Sequence, residues 1–265
     1  MSTRKIGLAL SGGAARGIAH LGMLQALSEL QLPIGAMSGV SSGGLAAVFF
    51  AAGIPPREVL RLLSDTRFLR LVRPAYKRGL VNLGLLEKLF AAHLPGNQTF
   101  ADLGMPVTLA ATDLSSGKTV FFNEGPLVPP LLATGAVPVL CQPIEYLGHV
   151  LVDGGLLNNL PIEPLQHRPE LALVGAHTNI VNTEAPISTI RHVAERTFML
   201  AIGTNTAPRL KQCELVLQPP ELRRFRVTDL RHATELYAIG YEYTLSQAAE
   251  LEALLSKPAP EPDFG

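Results

Sequence analysis

The chain has 265 residues, of which 47% are hydrophobic, and its 22 Lys and Arg residues balance its 22 Asp and Glu residues. This composition predicts a large buried core, and the lack of a basic block argues against nucleic acid as a partner. The two cysteines, Cys141 and Cys213, are too few and too far apart for a disulfide framework or a metal site. No uncharged apolar run reaches about 18 residues, and the N-terminal run is too short for a signal peptide. We therefore expect a cytoplasmic protein without a membrane span.

Short apolar runs alternate with helical patterns along the chain. Strands are predicted at 5–10, 33–37, 105–112, 118–122, 150–152, 171–175 and 214–217, and helices at 15–30, 45–52, 57–63, 85–92, 126–134, 187–204 and 227–255. Strands that are apolar on both faces and alternate with helices are typical of a sheet covered on both sides. The pattern predicts an α/β fold with a three-layer, open, mainly parallel sheet and helices on both faces.

No linker divides the sequence, so we expect a single domain over residues 1–256. Residues 257–265 are rich in proline and acidic residues, which is typical of a mobile tail. The densest basic stretch, at residues 67–78, is interpreted as solvated surface rather than as a contact for anionic lipid.

A serine stands between two glycines at residues 39–43, which read Gly-Val-Ser-Ser-Gly. A predicted strand precedes this pentapeptide and a predicted helix follows it, so Ser41 is expected on a tight strand-to-helix turn. Gly39 and Gly43 would allow the backbone angles and the close chain approach that such a turn needs. The pattern indicates a nucleophilic serine, and Ser41 fits the spacing better than Ser42. An ordinary glycine-rich turn is the alternative.

A second glycine-rich segment, residues 11–17, follows the first predicted strand and reads Ser-Gly-Gly-Ala-Ala-Arg-Gly. Such a loop exposes several backbone N–H groups at the start of a helix, which suits an anion. The anion is either a nucleotide phosphate or the oxyanion of an acyl-transfer intermediate. The nucleotide interpretation is the weaker one, because the segment lacks the spacing of the known phosphate-binding loops. A tight packing turn is the third interpretation.

The third segment reads Asp153-Gly154-Gly155 and follows a predicted strand. Alone, it is a common turn sequence. All three segments, however, follow predicted strands, and in an open α/β sheet the carboxyl ends of the strands are where sites assemble. A nucleophile, an anion-binding loop and a carboxylate are the parts that acyl transfer requires.

With these three segments in this order, the chain resembles the patatin-like phospholipases from about residue 5 to about residue 243. The Asn158-Asn159-Leu160-Pro161 run, Thr112-Asp113-Leu114 with Gly117, and Ala136-Val137-Pro138 with Pro143 also match that family. The resemblance implies a Ser–Asp dyad without a histidine relay. By position, Ser41 would be the nucleophile and Asp153 its general base.

The resemblance further implies that the backbone N–H groups of Gly12, Gly13 and Ala14 form the oxyanion hole. Such loops often have a third glycine where Ala14 stands, and its methyl group is tolerable if φ is negative but costly if φ is positive. Arg16 is expected to pair with a nearby carboxylate and hold the loop, with binding of a lipid phosphate as the alternative. Asn158 and Asn159 are expected to hold the segment after Asp153. Gly39, Gly43, Gly154 and Gly155 would support the site.

The implied function is a lipid acyl hydrolase, a phospholipase A or esterase, that needs no cofactor and no metal. Its partners would be a lipid or acyl-ester substrate and, transiently, a membrane surface. The alternatives are a carboxylesterase or thioesterase of small substrates, with or without a histidine triad, a regulatory module with little turnover and, more distantly, a nucleotide-binding protein. The candidate triad histidines are expected on the surface or on helices, and His20 is expected to be a packing residue; those candidates are His167, His177, His192 and His232.

Overall fold

The computed structural model describes residues 4–64, 87–88, 90, 92–94, 98–166, 168–182 and 187–258. The strands are β1 (Lys5–Leu10), β2 (Ile34–Gly39), β3 (Val107–Asp113), β4 (Lys118–Phe122), β5 (Ile144–Tyr146), β6 (His149–Asp153), β7 (Leu171–Ala176) and β8 (Leu215–Leu217). The α-helices are α1 (Ala19–Glu29), α2 (Ser42–Ala51), α3 (Pro56–Ser64), α4 (Val128–Thr134), α5 (Glu163–Gln166), α6 (Ile190–Leu210), α7 (Ala233–Ser246) and α8 (Ala248–Leu255).

These strands form one mixed sheet. The hydrogen-bonded path through it runs β5-β6-β3-β2-β1-β7-β8, and β4 pairs with β3 outside this path. The pairings of β1 with β2, β1 with β7, β2 with β3 and β7 with β8 are parallel. The pairings of β3 with β4, β3 with β6 and β5 with β6 are antiparallel. The predicted α/β fold with a mainly parallel sheet is therefore confirmed, with an antiparallel portion around β3.

Two hydrophobic clusters lie on the two faces of the sheet. Along β1, Ile6, Leu8 and Leu10 belong to the larger cluster, which includes residues of α1, α2 and α7. Ala9 points to the other side and packs with Leu165 of α5, while Leu210 of α6 lies against the same smaller cluster. Because side chains alternate along a strand, this division places helices on both faces and confirms the three layers.

Some predicted boundaries are wrong. The segment at 15–30 is a 3₁₀ helix (Ala14–Ile18) that leads into α1, and the segment at 227–255 holds a 3₁₀ turn (Leu230–His232) followed by α7 and α8. The predicted helix at 187–204 begins at Ile190 and continues to Leu210, and strand β5 was not predicted. Much of the predicted helix at 85–92, the basic stretch at 67–78 and most of the tail at 257–265 lie outside the described residues. Within the described ranges, no helix has the length and apolar character needed to cross a bilayer.

Strands β2 and β6 pair with the same edge of β3, but they run along it in opposite directions. The Met37 N–H donates to the Pro106 carbonyl, and the Leu114 N–H donates to the Val150 carbonyl. Backbone groups alternate in direction along a strand, so these two bonds, an even number of residues apart, lie on the same edge of β3. Gly39 pairs with Leu109, and Asp153 pairs with Ala111 two residues further on. The carboxyl ends of β2 and β6 therefore meet along β3.

Candidate active site

The turn between β2 and α2 holds Ser41 in a strained conformation. Ser41 has φ 53° and ψ −128° and precedes the first residue of α2. A positive φ is rare for a residue with a side chain, and it persists only where the surroundings enforce it. Here the Ser41 N–H donates to Thr134 Oγ1 at 2.9 Å, and the Gly43 N–H donates to the Val40 carbonyl at 2.9 Å. The turn thus holds the serine at the end of β2, as the pentapeptide predicts.

Gly39 and Gly43 permit this turn because other backbone lies against them. A Cβ atom at Gly39 would be 2.7 Å from the Gly44 Cα atom, and one at Gly43 would be 2.5 Å from the carbonyl oxygens of Leu10 and Ser11. Neither position has room for a side chain. Gly43 therefore packs the serine turn directly against the end of β1, and Gly39 lets the start of α2 lie against the end of β2.

The hydroxyl of the neighbouring Ser42 lies against Gly17. Its Oγ atom is buried and has no hydrogen-bond partner among the described residues. A Cβ atom on Gly17 would lie 2.0 Å from it, so the Ser42 side chain occupies the space that Gly17 leaves open. Ser41 is partly exposed, and its side chain lies beside Asp153. Of the two serines, Ser41 is the one that faces the carboxylate.

Asp153 is a buried carboxylate at the end of β6, with 7% of its surface exposed. Burial raises its pKa to about 6, because the charged form is poorly solvated; the Gly155 N–H and the Ser41 side chain oppose that rise. The Gly155 N–H donates to Asp153 Oδ1 at 2.8 Å. A Cβ atom on Gly154 would lie 2.4 Å from the Ala110 carbonyl oxygen, so this glycine lets the loop pack onto β3.

The glycine-rich loop packs on the other side of Ser41. A Cβ atom on Gly12 would lie 3.3 Å from the Ser41 Cβ atom, and one on Gly13 would lie 2.4 Å from Thr178 Oγ1. Across the described ranges, no residue accepts a hydrogen bond from the N–H groups of Gly12, Gly13 or Ala14. The structure brings this loop, Ser41 and Asp153 to one edge of the sheet.

Ala14 adopts a left-handed backbone conformation, which favours glycine. Its φ is 50°, in the left-handed region, and its methyl group is exposed. The positive φ strains an alanine, but solvent leaves room for the side chain. Alanine therefore fits at this position in place of glycine, but its backbone is strained.

Three asparagines connect the loops around the site. The side chain of Asn159 donates to the Gly12 carbonyl at 3.4 Å, and its N–H donates to Asn205 Oδ1 at 2.9 Å. Asn205 Nδ2 donates to the carbonyls of Gly155 and Leu156, both at 3.1 Å. Asn158 accepts from the Leu160 N–H at 3.3 Å and donates to Glu163 at 2.8 Å. The segment after Asp153 is thus held from both sides, as expected for Asn158 and Asn159.

Thr134 and Asn205 also hold the site, and neither residue was predicted from the sequence. Thr134 Oγ1 donates to the Ala110 carbonyl at 2.6 Å while it accepts from the Ser41 N–H. A single fully buried threonine in the otherwise apolar run 131–136 is the signal that could have indicated this bridge. Asn205 lies within α6, although asparagine is a poor helix former. An asparagine inside a helix is therefore the signal that could have indicated its hydrogen-bonding role.

Arg16 anchors the C-terminal end of the glycine-rich loop, residues 11–17. It is buried; its Nε donates to the Phe225 carbonyl at 2.8 Å and its Nη1 to the Ile180 carbonyl at 2.7 Å. The expected structural role fits these bonds, although both of these partners are backbone carbonyls rather than a carboxylate.

Among the described histidines, none hydrogen bonds to Ser41 or Asp153, and His167 lies outside the described residues. His20 Nε2 donates to the Ser11 carbonyl at 2.8 Å, and burial lowers its pKa to about 4, so it is a neutral packing residue as expected. The expectation of a surface or helical position is wrong for His177, which follows β7, is buried, and has its pKa lowered by burial to about 4. Its backbone N–H donates to the Leu217 carbonyl at 2.9 Å, so the pairing of β7 with β8 continues to this residue.

A serine on a strained strand-to-helix turn, at the carboxyl edge of an α/β sheet and beside a buried carboxylate, is typical of serine hydrolases as a class. The chain belongs to the patatin-like phospholipase family, whose model matches residues 8–165.

Two relatives are similar to this chain in sequence. An uncharacterized NTE family protein of Mycobacterium tuberculosis is 36% identical over 170 residues, covering 62% of this chain and 46% of its own length. Lysophospholipase NTE1 of Cryptococcus neoformans is 28% identical over 203 residues, covering 69% of this chain and 12% of its own. This chain therefore spans less than half the length of either relative.

Two crystal structures share the fold. VipD from Legionella pneumophila matches with a TM-score of 0.66 and 15% identity, over 93% of this chain and 67% of that one. The type III effector protein ExoU matches with a TM-score of 0.50 and 16% identity, over 96% of this chain and 54% of that one. At these identities the likeness concerns the fold.

Proposed function

We propose that this chain is a lipid acyl hydrolase that cleaves fatty-acyl ester bonds through an acyl-enzyme on Ser41, with Asp153 as general base. The observation that carries the proposal is the buried carboxylate of Asp153, with its pKa raised to about 6, beside the side chain of a serine on a strained turn. A serine hydroxyl needs a base to become a nucleophile, and a carboxylate becomes a stronger base as its pKa rises.

In the acylation step, the Ser41 Oγ attacks the ester carbonyl carbon and its proton passes to the Asp153 carboxylate. The carbonyl oxygen becomes an oxyanion, which the N–H groups of Gly12, Gly13 and Ala14 would bind. One such donor is worth about 3–4 kcal/mol in the transition state. The intermediate collapses, the C–O bond to the alcohol breaks, and the alcohol leaves with the proton from Asp153.

In the deacylation step, water attacks the acyl-Ser41 carbonyl while Asp153 takes a proton from it. The bond to Ser41 Oγ then breaks, the proton returns to Oγ, and the fatty acid is released. Neither step requires a histidine, a metal or a cofactor. The name of the fungal relative, a lysophospholipase, supports lipid esters as the substrate class.

The test measures fatty-acid release from phosphatidylcholine and lysophosphatidylcholine, and hydrolysis of a soluble p-nitrophenyl ester. Ser41→Ala and Asp153→Asn should each lower kcat by about 10³-fold or more. Ser42→Ala is the matched control, because that hydroxyl faces Gly17, and it should retain activity within a few-fold.

Full turnover by Ser41→Ala or Asp153→Asn would refute the proposed mechanism. Rapid hydrolysis of soluble esters or thioesters with no release from lipid would instead favour the small-substrate esterase or thioesterase. A correctly folded wild type without any hydrolysis would favour the regulatory module.

A further inference from the structure

Helix α6 exposes a row of largely apolar side chains to solvent. Its exposed side chains recur at helical spacing along the full 21 residues, and none of those that the structure describes is charged: Ile190, Val193, Ala194, Thr197, Phe198, Leu200, Ala201, Thr204, Ala207 and Pro208. Ile190 is 90% exposed and Leu200 is 53% exposed. We call this set the α6 outer face. A largely apolar exposed surface of this kind often marks an interaction site.

A group of arginines borders the first half of the α6 outer face. Arg223, Arg224 and Arg226 are exposed, and Arg226 Nη2 lies 3.1 Å from Nε2 of His192 on α6. With Ile187 they line one crevice, in which no described lining residue is acidic. We call these three residues the arginine rim.

The acidic residues near the arginine rim leave it net positive. Glu221 lies in the same 3₁₀ helix as Arg223 and Arg224, and its backbone carbonyl accepts from Arg224 Nε at 3.4 Å. Asp229 accepts from the backbone N–H of Arg226 at 2.8 Å. From Glu221 to Arg231 the segment has two acidic side chains and four arginines, so its net charge is positive.

The α6 outer face is attached to the candidate active site through the same helix. Asn205, one turn beyond Leu200 and Ala201, binds the carbonyls of Gly155 and Leu156, just after Asp153. A surface that binds the α6 outer face would therefore lie against the helix that contacts the loop after Asp153.

We propose that the α6 outer face and the arginine rim together bind the surface of an anionic phospholipid bilayer. The inference rests on the proposed lipid hydrolase function and identifies where the enzyme meets its substrate. A helix with an apolar face beside basic side chains typically lies in the headgroup region of a bilayer. Burial of the apolar side chains and attraction of the basic ones to anionic lipid both contribute to the binding free energy. A second copy of this chain is the weaker occupant, since a symmetric contact would bring two arginine rims into one interface.

The experiment measures co-sedimentation with vesicles of phosphatidylcholine containing about 30% phosphatidylglycerol, and with vesicles of pure phosphatidylcholine. Binding is measured in the Ser41→Ala background, so that it does not depend on turnover. The background protein should prefer the anionic vesicles, and the preference should weaken with added salt.

The apolar part is tested with Val193→Gln/Leu200→Gln, which should weaken vesicle binding by about tenfold or more. Leu245→Gln is the matched control: Leu245 is an exposed leucine near the far end of α7, and this variant should bind like the background. Thermal unfolding of each variant checks that the fold is kept.

The charged part is tested with Arg223→Gln/Arg224→Gln, which should weaken binding to anionic vesicles by about fivefold per arginine at low salt. The matched control Lys5→Gln/Lys257→Gln removes two exposed positive charges elsewhere and should have little effect. In the active protein, each surface variant should lower the ratio of vesicle hydrolysis to soluble-ester hydrolysis.

Failure to bind anionic vesicles, or binding that the α6 variants leave unchanged, would overturn the inference even if soluble esters are hydrolysed. A dimer in sedimentation velocity that the α6 variants dissociate, without vesicle binding, would also overturn it and assign the face to a second copy. Vesicle binding through these residues by a protein that hydrolyses no ester would support the surface and refute the proposed function. The two failures are therefore distinguishable.

Discussion

The hydroxyl of Thr134 joins the backbone of Ser41 to strand β3. It accepts a hydrogen bond from the Ser41 N–H at 2.9 Å and donates one to the Ala110 carbonyl at 2.6 Å. Thr134 is fully buried, so water cannot replace either bond. The strained turn at Ser41 is thereby anchored to the strand that also pairs with β6 and Asp153.

Thr134→Val should therefore destabilise the protein and reduce activity. It keeps the shape of the side chain but leaves the Ser41 N–H and the Ala110 carbonyl unpaired, at a cost of about 2–4 kcal/mol. Chemical denaturation of Thr134→Val and Thr134→Ser measures the difference. The serine variant keeps the hydroxyl and should recover most of the stability and kcat; equal losses in both would contradict the role of the bridge.

Asp153→Asn should stabilise the fold at alkaline pH while it removes activity. The pKa of Asp153 is about 6 when folded, above its unfolded value of about 3.9, so burial of the charge lowers wild-type stability as pH rises through 6. The difference amounts to roughly 3 kcal/mol at pH 8 and vanishes below about pH 4. Unfolding curves of both proteins at the two pH values test this; a variant less stable than wild type at pH 8 would contradict it.

The pH dependence of kcat/KM should show one acidic limb with a midpoint near pH 6. Asp153 must be ionised to accept the serine proton, so activity rises as pH increases through its pKa of about 6. A histidine could produce a similar midpoint, but imidazole ionisation is endothermic and carboxyl ionisation is nearly athermal. The midpoint measured at several temperatures should therefore stay constant, and a strong downward movement on warming would favour a histidine base.

Ala14→Gly should stabilise the protein by up to about 1 kcal/mol, because glycine relieves the strain of the positive φ at this exposed position. Ala15→Gly is the matched control one residue along. Ala15 is buried in the main core, and its loss should cost about 1–2 kcal/mol through lost burial and added chain entropy. Thermal denaturation compares the two, and a destabilised Ala14→Gly would show that the methyl group makes a contact that outweighs the strain.

Local pattern was sufficient to predict most strands and the serine turn. The serine turn is encoded within one short segment by Gly39, Gly43 and the apolar runs that flank them. The residues of β1 are apolar at both even and odd positions after Lys5, which indicates a sheet covered on both faces. The segments that hold Gly12, Ser41 and Asp153 could be placed at one edge of the sheet because each of them follows a predicted strand. The roles of Ser41, Asp153 and the glycine-rich loop stay predictions.

Features that depend on distant contacts could not be predicted in this way. The antiparallel approach of β6 to the end of β2 depends on its register along β3, which no local pattern records. The burial of His177 depends on pairing with β8, and the bridges of Thr134 and Asn205 join segments 93 and 50 residues apart. Gly12 and Gly13, which precede Ala14, pack against Asn159, Ser41 and Thr178, and no local pattern records these contacts.

Labelling with a fluorophosphonate, followed by mass spectrometry of the modified peptide, tests whether Ser41 is the nucleophile and Asp153 its base. We expect a single phosphonate adduct on Ser41, lost in Ser41→Ala, kept in Ser42→Ala, and formed far more slowly in Asp153→Asn. An adduct on Ser42 or on another serine, or labelling at the wild-type rate in Asp153→Asn, would contradict this expectation.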